Sequence, residues 1–303
     1  MLKRIYTRSY INSLKYDHRH FYDDLDEYGN QDSDTAFYFI PGINGTAGQI
    51  RFAIPNLIGK FGKDIFIKSC FLEEFSSKAL IWDKYKLSNV LKKREKIVFD
   101  LNKMAQKNRR LYIVASSSGF YDFLYAYGSL SEKVRDKSEL LWVAVAPPEF
   151  RKGVFTELFY RINGFRVDGY RWFAYPNSNL LRIINPETST HHIWKQGKVK
   201  KRFYKTDLES RFKCFGIYWA YTSIDCFNYL LRVMIDNSSY PIDMKSYVMV
   251  ATRDGYWQGK STAEINRVLD GFISNREMLF RPTSHLWLVS PDNMSDLLDL
   301  IRG

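Results

Sequence analysis

The sequence predicts an α/β protein, a mostly parallel central sheet flanked by helices and interrupted by an inserted cap. Three observations lead there. Short runs rich in apolar, β-branched and aromatic residues recur at 35–40, 64–71, 111–115, 140–146, 247–252 and 278–281. Segments with apolar residues at helical spacing lie between most of them. The run 140–146 is continuously apolar, as a strand covered by helices on both faces must be.

Composition bounds the function. A chain of 303 residues can bury one large core or two small ones. With 45% apolar and 17% aromatic residues it is a globular and not a disordered chain. A net charge of +12 suggests an acidic partner, such as an acidic carrier protein, or an anionic lipid surface. No helix-turn-helix, zinc or RNA-binding signature accompanies that charge, which speaks against nucleic acid. Cys70, Cys214 and Cys226 are odd in number and widely spaced. They argue against a disulfide framework and for a reducing, cytoplasmic compartment. The polar N-terminus carries no evident signal peptide, and no apolar run of about 18 residues predicts a membrane span.

In chain order, residues 1–34 form a charged lead-in with at most one strand or helix. Strand 35–40 then runs into Pro41-Gly42-Ile43-Asn44-Gly45-Thr46-Ala47-Gly48, a loop that must approach something closely. Its glycine spacing is not the dinucleotide fingerprint. An amphipathic helix over 47–61 follows, with Ile50, Ile54, Leu57, Ile58 and Phe61 on one side. After strand 64–71, a long basic helix within 80–108 presents Val90, Leu91, Ile97, Val98, Leu101 and Met104 as its apolar face.

Strand 111–115 meets helix 120–127 through Ser116-Ser117-Ser118-Gly119. A sharp strand-to-helix turn around small-x-Ser-x-small lifts one hydroxyl to the top of a sheet. It also points the next backbone N–H, and the helix N-terminus, at any oxyanion formed there. Spacing selects among the three serines. Ser117 is flanked two residues away by Ala115 and Gly119, both small, whereas Ser116 would have Val114 and Ser118 would have Phe120. A serine-rich loop capping a helix is the competing reading.

From 149 to 240 the alternation stops. Eight aromatic residues lie between Phe155 and Tyr175, and the stretch holds 15 Lys or Arg against 8 Asp or Glu. It reads as a cap inserted between core segments 35–148 and 241–303. Its aromatics are candidates for an apolar substrate pocket. His191-His192 lacks neighbouring ligands, so neither a metal nor any other cofactor is expected.

The strand pattern resumes at 247–252, followed by Arg253-Asp254-Gly255, a helix over 262–274, strand 278–281, Pro282-Thr283-Ser284-His285 and a closing helix over 294–301. The stretch Gly255-Tyr-Trp-Gln-Gly259-Lys260-Ser261 has three residues between its glycines where a phosphate loop needs four, and Asp254 occupies the position required for the earlier glycine. Ser117, Asp254 and His285 each follow a strand, in the chain order serine, acid, histidine. The edge where parallel strands end is where such sheets place their sites. His285 could take the serine proton and Asp254 could hold the imidazole. The amides of Ile43 and Ser118 could bind an oxyanion, although a plain glycine turn also accounts for the loop at Ile43. The rival acids Asp225 and Asp236 precede the penultimate strand. His18 and His20 precede the first strand, and His191 and His192 fall in the cap.

Over residues 35–303 the chain resembles the α/β-hydrolase superfamily. Within it, Ala115-Ser116-Ser117-Ser118, Trp257 and Thr283-Ser284-His285 are similar to motifs of the bacterial-luminescence acyl-transferases, which act as thioesterases. Gly119 stands where those proteins have a serine, and the basic, aromatic cap is a departure from them. The resemblance implies a serine hydrolase that cleaves an ester or thioester of an apolar acyl group through an acyl-serine. An acyltransferase using the same intermediate, or a non-catalytic module of this fold that binds an acidic partner, are the alternatives.

Overall fold

The computed structural model describes residues 26–42, 50, 53–75, 87–143, 145, 231, 233–238, 241–252, 257, 260–282 and 291–301. Among these, seven strands form one sheet: β1 (Glu27–Gly29), β2 (Thr35–Ile40), β3 (Ile65–Ser69), β4 (Arg110–Ser116), β5 (Ser138–Val143), β6 (Ser246–Ala251) and β7 (Arg276–Arg281). The order is β1-β3-β2-β4-β5-β6-β7. Only β1 is antiparallel to its neighbour. The helices are α1 (Ile54–Phe61), α2 (Leu87–Lys107), α3 (Gly119–Tyr127), α4 (Glu132–Lys137), α5 (Thr262–Asp270) and α6 (Pro291–Leu300). None of the described helices is long and apolar enough to cross a membrane.

The central strands are buried on both sides, and their alternate residues feed two cores. Phe37, Phe39, Tyr112, Val114, Leu141, Val143, Tyr247 and Met249 pack with Leu57 of α1 and Leu297 of α6. Tyr38, Ile40, Ile113, Ala115, Leu140, Trp142, Val248 and Val250 pack with α2, α3, α4 and α5. Leu231, Met234 and Ile235, at the end of the stretch 149–240, are buried in this second core. Apart from residues 231 and 233–238, that stretch lies outside the described residues.

Chain direction follows from this layering. From β2 the chain crosses to β3 through α1 on one face, then returns past β2 to β4 through α2 on the other. Right-handed crossovers that move in opposite directions must use opposite faces. The strand order therefore reverses between β2 and β4, and the carboxyl ends of these strands form the switch point at which such sheets place their sites.

Several elements differ in detail from what the spacing predicts. Helix α1 begins at Ile54 with Pro55 in its first turn, later than residue 47. Proline lacks the N–H that a helix interior needs and suits a helix start. Leu91, expected on the apolar face of α2, is 38% exposed. The buried stripe is instead Val90, Lys93, Ile97, Asp100, Leu101 and Met104, which are spaced three, four, three, one and three apart and leave Leu91 to one side.

The two buried charges on that stripe are paired. Lys93 Nζ lies 2.5 Å from Asp122 Oδ2 of α3. Asp100 receives the Tyr38 hydroxyl at 3.1 Å and Lys96 Nζ at 2.8 Å, with Lys68 Nζ at 3.4 Å. Lys68 also reaches Glu27 Oε1 at 2.8 Å, opposite it in the ladder, which fastens the short polar strand β1 to the sheet edge.

Candidate active site

Ser117 stands where β4 ends and α3 begins, at the switch point between β2 and β4. Its φ of 52° makes it the non-glycine residue with a left-handed backbone among the described residues. Such a conformation costs about 1–3 kcal/mol and persists only where its surroundings impose it. Several contacts do so here. The Ser117 N–H donates to the Val143 carbonyl at 2.8 Å, extending the β4–β5 pairing into the turn. The Ser117 carbonyl accepts from the Trp142 indole N–H at 2.9 Å. Ser116, Ser117 and Ser118 are all at least nine-tenths buried.

The small flanking residues are required by close backbone approach. A Cβ on Gly119 would stand 2.4 Å from the Ile40 carbonyl oxygen and 2.9 Å from that of Pro41. One on Gly42 would stand 2.7 Å from the Ser116 carbonyl oxygen and 2.9 Å from Ser117 Cβ. The chain leaving β2 is thus pressed against the turn leaving β4, the close approach that the glycine loop implies. Ser118 occupies the N-cap of α3, so its backbone lies at the positive end of that helix.

Of the other candidates, Ile43 directly follows Gly42 but lies outside the described residues, as do Asp254, His285 and the cap aromatics. What the structure fixes is the frame on either side of the acid and histidine loops. Before Asp254, the Thr252 N–H donates to the Arg281 carbonyl at 2.8 Å, tying the end of β6 to the end of β7. After it, Trp257 is buried, and its indole N–H donates to the Val145 carbonyl at 2.5 Å, just beyond β5. Before His285, Arg281 Nε meets Asp296 Oδ2 at 2.5 Å, joining the end of β7 to α6. Thr252, Trp257 and Arg281 are therefore held beyond β5, β6 and β7, on the carboxyl edge that also carries Ser117.

Sequence reading missed Trp142 as part of this site. A tryptophan within an apolar strand reads as core filler. Only its register opposite Ala115, two residues before the serine, could have signalled contact with the turn.

No protein-family model matches the sequence, and no curated protein matches it. Solved structures do. One is a candidate alpha/beta hydrolase from Nostoc sp PCC 7120, with a TM-score of 0.53 at 15% identity over 90% of this chain and 91% of that one. A metagenome-derived lipolytic enzyme of the LipS and LipT pair gives 0.53 at 10% identity over 92% and 96%. A candidate acyltransferase from Salmonella enterica gives 0.50 at 12% identity over 90% and 88%. With a mostly parallel seven-stranded sheet, helices on both faces and a serine turn after β4, the chain has the α/β-hydrolase fold.

Proposed function

We propose that the protein is a serine hydrolase that cleaves an ester or thioester of an apolar acyl group through an acyl-serine intermediate. The observation that carries this reading is the strained Ser117, held at φ 52° at the switch point between β2 and β4, with Gly42 packed against it. Backbone strain of this kind clusters at active sites, where it is part of the mechanism. Its chemical use is to present a hydroxyl beside backbone amides.

Ser117 Oγ attacks the acyl carbon, and His285 takes the proton and returns it to the leaving group. Asp254 orients the imidazole and stabilises the imidazolium. The N–H groups of Ser118 and Ile43 bind the oxyanion, a contribution of roughly 3–4 kcal/mol per donor in a well-studied case. Water then releases the acid by the same route in reverse. The aromatic stretch within 149–240 supplies the acyl-binding surface, and its basic excess suits an acidic carrier protein or anionic headgroups.

A panel of p-nitrophenyl esters and acyl thioesters of rising chain length tests the reading. Turnover that grows with acyl length and disappears in Ser117→Ala, with the fold retained by circular dichroism, is the expected result. A Ser117→Ala protein as active as the parent overturns the assignment of the nucleophile.

A further inference from the structure

Two neighbouring residues of β5 hold both backbone polar groups of Ser117. The Val143 carbonyl accepts its N–H at 2.8 Å, and the Trp142 indole donates to its carbonyl at 2.9 Å. Trp142 is fully buried. Its ring is stacked on Phe120, in the first turn of α3, with centroids 3.8 Å apart and planes at 14°. It meets Tyr121 edge to face, at 5.9 Å and 82°. One side chain therefore grips the residue at the turn and the first turn of the helix behind it.

We propose that Trp142 is a positioning residue that aims the Ser118 N–H at the developing oxyanion, acting through the Ser117–Ser118 peptide plane. The proposal rests on the reading of Ser117 as nucleophile. The Ser117 carbonyl and the Ser118 N–H belong to one peptide unit, which is planar and trans, so the two groups point in opposite directions. An indole that fixes the carbonyl fixes the N–H. A donor bonded to the carbonyl also polarises the amide, strengthening the N–H as a donor by about 10–30%.

Without the indole, the Ser117 carbonyl keeps the longer bond from the Phe120 N–H at 3.4 Å. The peptide plane could then rock by opposite changes in the torsions on either side of it. Preorganised donors stabilise a transition state because they need no reorganisation when charge develops. A plane free to rock forfeits part of that benefit while leaving the substrate pocket unchanged.

Two variants test this. Trp142→Phe keeps a ring on Phe120 and removes the donor. Site-specific replacement of Trp142 by β-(3-benzothienyl)alanine keeps the bicyclic shape and puts sulfur where the N–H was. Active sites are counted by fluorophosphonate titration, so that a loss of folded protein does not enter the rate. The expected result is a fall in kcat per titrated site of roughly tenfold to hundredfold, below the 10²–10³ lost when an oxyanion donor is removed outright. KM should stay within about twofold, as expected for an interaction made only in the transition state. Affinity for an alkyl boronate, which forms a tetrahedral adduct on the serine, should fall by the same factor as kcat. A purely structural role would lower the melting temperature and the titrated fraction and leave kcat per site and the boronate affinity alone. Both variants turning over at parental rate per site would overturn the proposal. A parent protein that never reacts with fluorophosphonate at Ser117 is a different failure, overturning the nucleophile and this proposal with it.

Discussion

The two faces of the sheet are stabilised differently, although the same strands supply both. On the α1 and α6 side the strands contribute aromatic and aliphatic residues: Phe37 stacks on Tyr112 with centroids 5.1 Å apart, and Phe61 of α1 meets Phe37 edge to face. On the α2 and α3 side, apolar packing is interrupted by Lys93 with Asp122, and by Asp100 with Tyr38, Lys96 and Lys68. Apolar burial dominates the first face, where the half-exposed Arg281–Asp296 pair joins the end of β7 to α6 at its margin. The second also depends on charges that tolerate burial only while paired. The charged face carries α3, the helix that follows the serine turn and holds Asp122 in its first turn.

Breaking a pair should show the contrast most strongly. Lys93→Met leaves the Asp122 carboxylate buried without its partner and should cost about 4 kcal/mol, within the range for orphaned buried charges. Adding Asp122→Leu should recover most of that loss. Urea unfolding of the single and double variants gives both numbers, and a double variant no better than the single would mean that the pair specifies the packing of α3. On the apolar face, Leu57→Ala in α1 should cost about 3 kcal/mol through lost transfer energy and a cavity, with no second substitution able to restore it by removing a charge.

The pH dependence should be smaller and have an unusual sign. Burial holds the Asp122 carboxyl above its ordinary value of 3.8, outweighing the lowering by Lys93. Between that value and the raised one, the folded state binds more protons than the unfolded state. The contribution of this group is therefore fully present below 3.8 and is lost as pH rises through the folded-state value. Stability of the parent relative to Asp122→Asn should decline over that window, and a difference that rises with pH would contradict the account. The smallest effect belongs to an exposed pair. Lys107 and Asp32 lie 3.0 Å apart with side chains 44% and 76% exposed, and Lys107→Ala should cost less than about 1 kcal/mol.

What the sequence revealed follows the same division. Strands β2, β4, β5 and β6 were legible because burial on both faces leaves continuous apolar runs. The elbow was legible because close backbone approach demands small residues, and Gly42 and Gly119 meet their neighbours as that demand requires. Strand β1 was not, because three residues held by the Glu27–Lys68 pair carry no periodic signal. Helix α4 was not, because Val134 is its one buried residue. Nothing in the sequence marks Lys93, Asp100 and Asp122 as buried, because a charge discloses burial only through partners distant in sequence; Tyr38 and Asp100 are 62 residues apart. The Trp142–Ser117 bond, spanning 25 residues, is invisible for the same reason. Of the proposed site, the sequence offers Ser117, Asp254 and His285 as candidates by their order after β4, β6 and β7, and the structure supplies the frame that holds the serine.

The central claim is that Ser117 is the residue that becomes acylated. Reacting the protein with a fluorophosphonate and mapping the adduct by peptide mass spectrometry tests it most directly. The account expects a single adduct on Ser117, absent in Ser117→Ala and blocked by prior treatment with a substrate ester. An adduct on Ser116 or Ser118, or a folded protein that hydrolyses esters yet takes no label at Ser117, would contradict it.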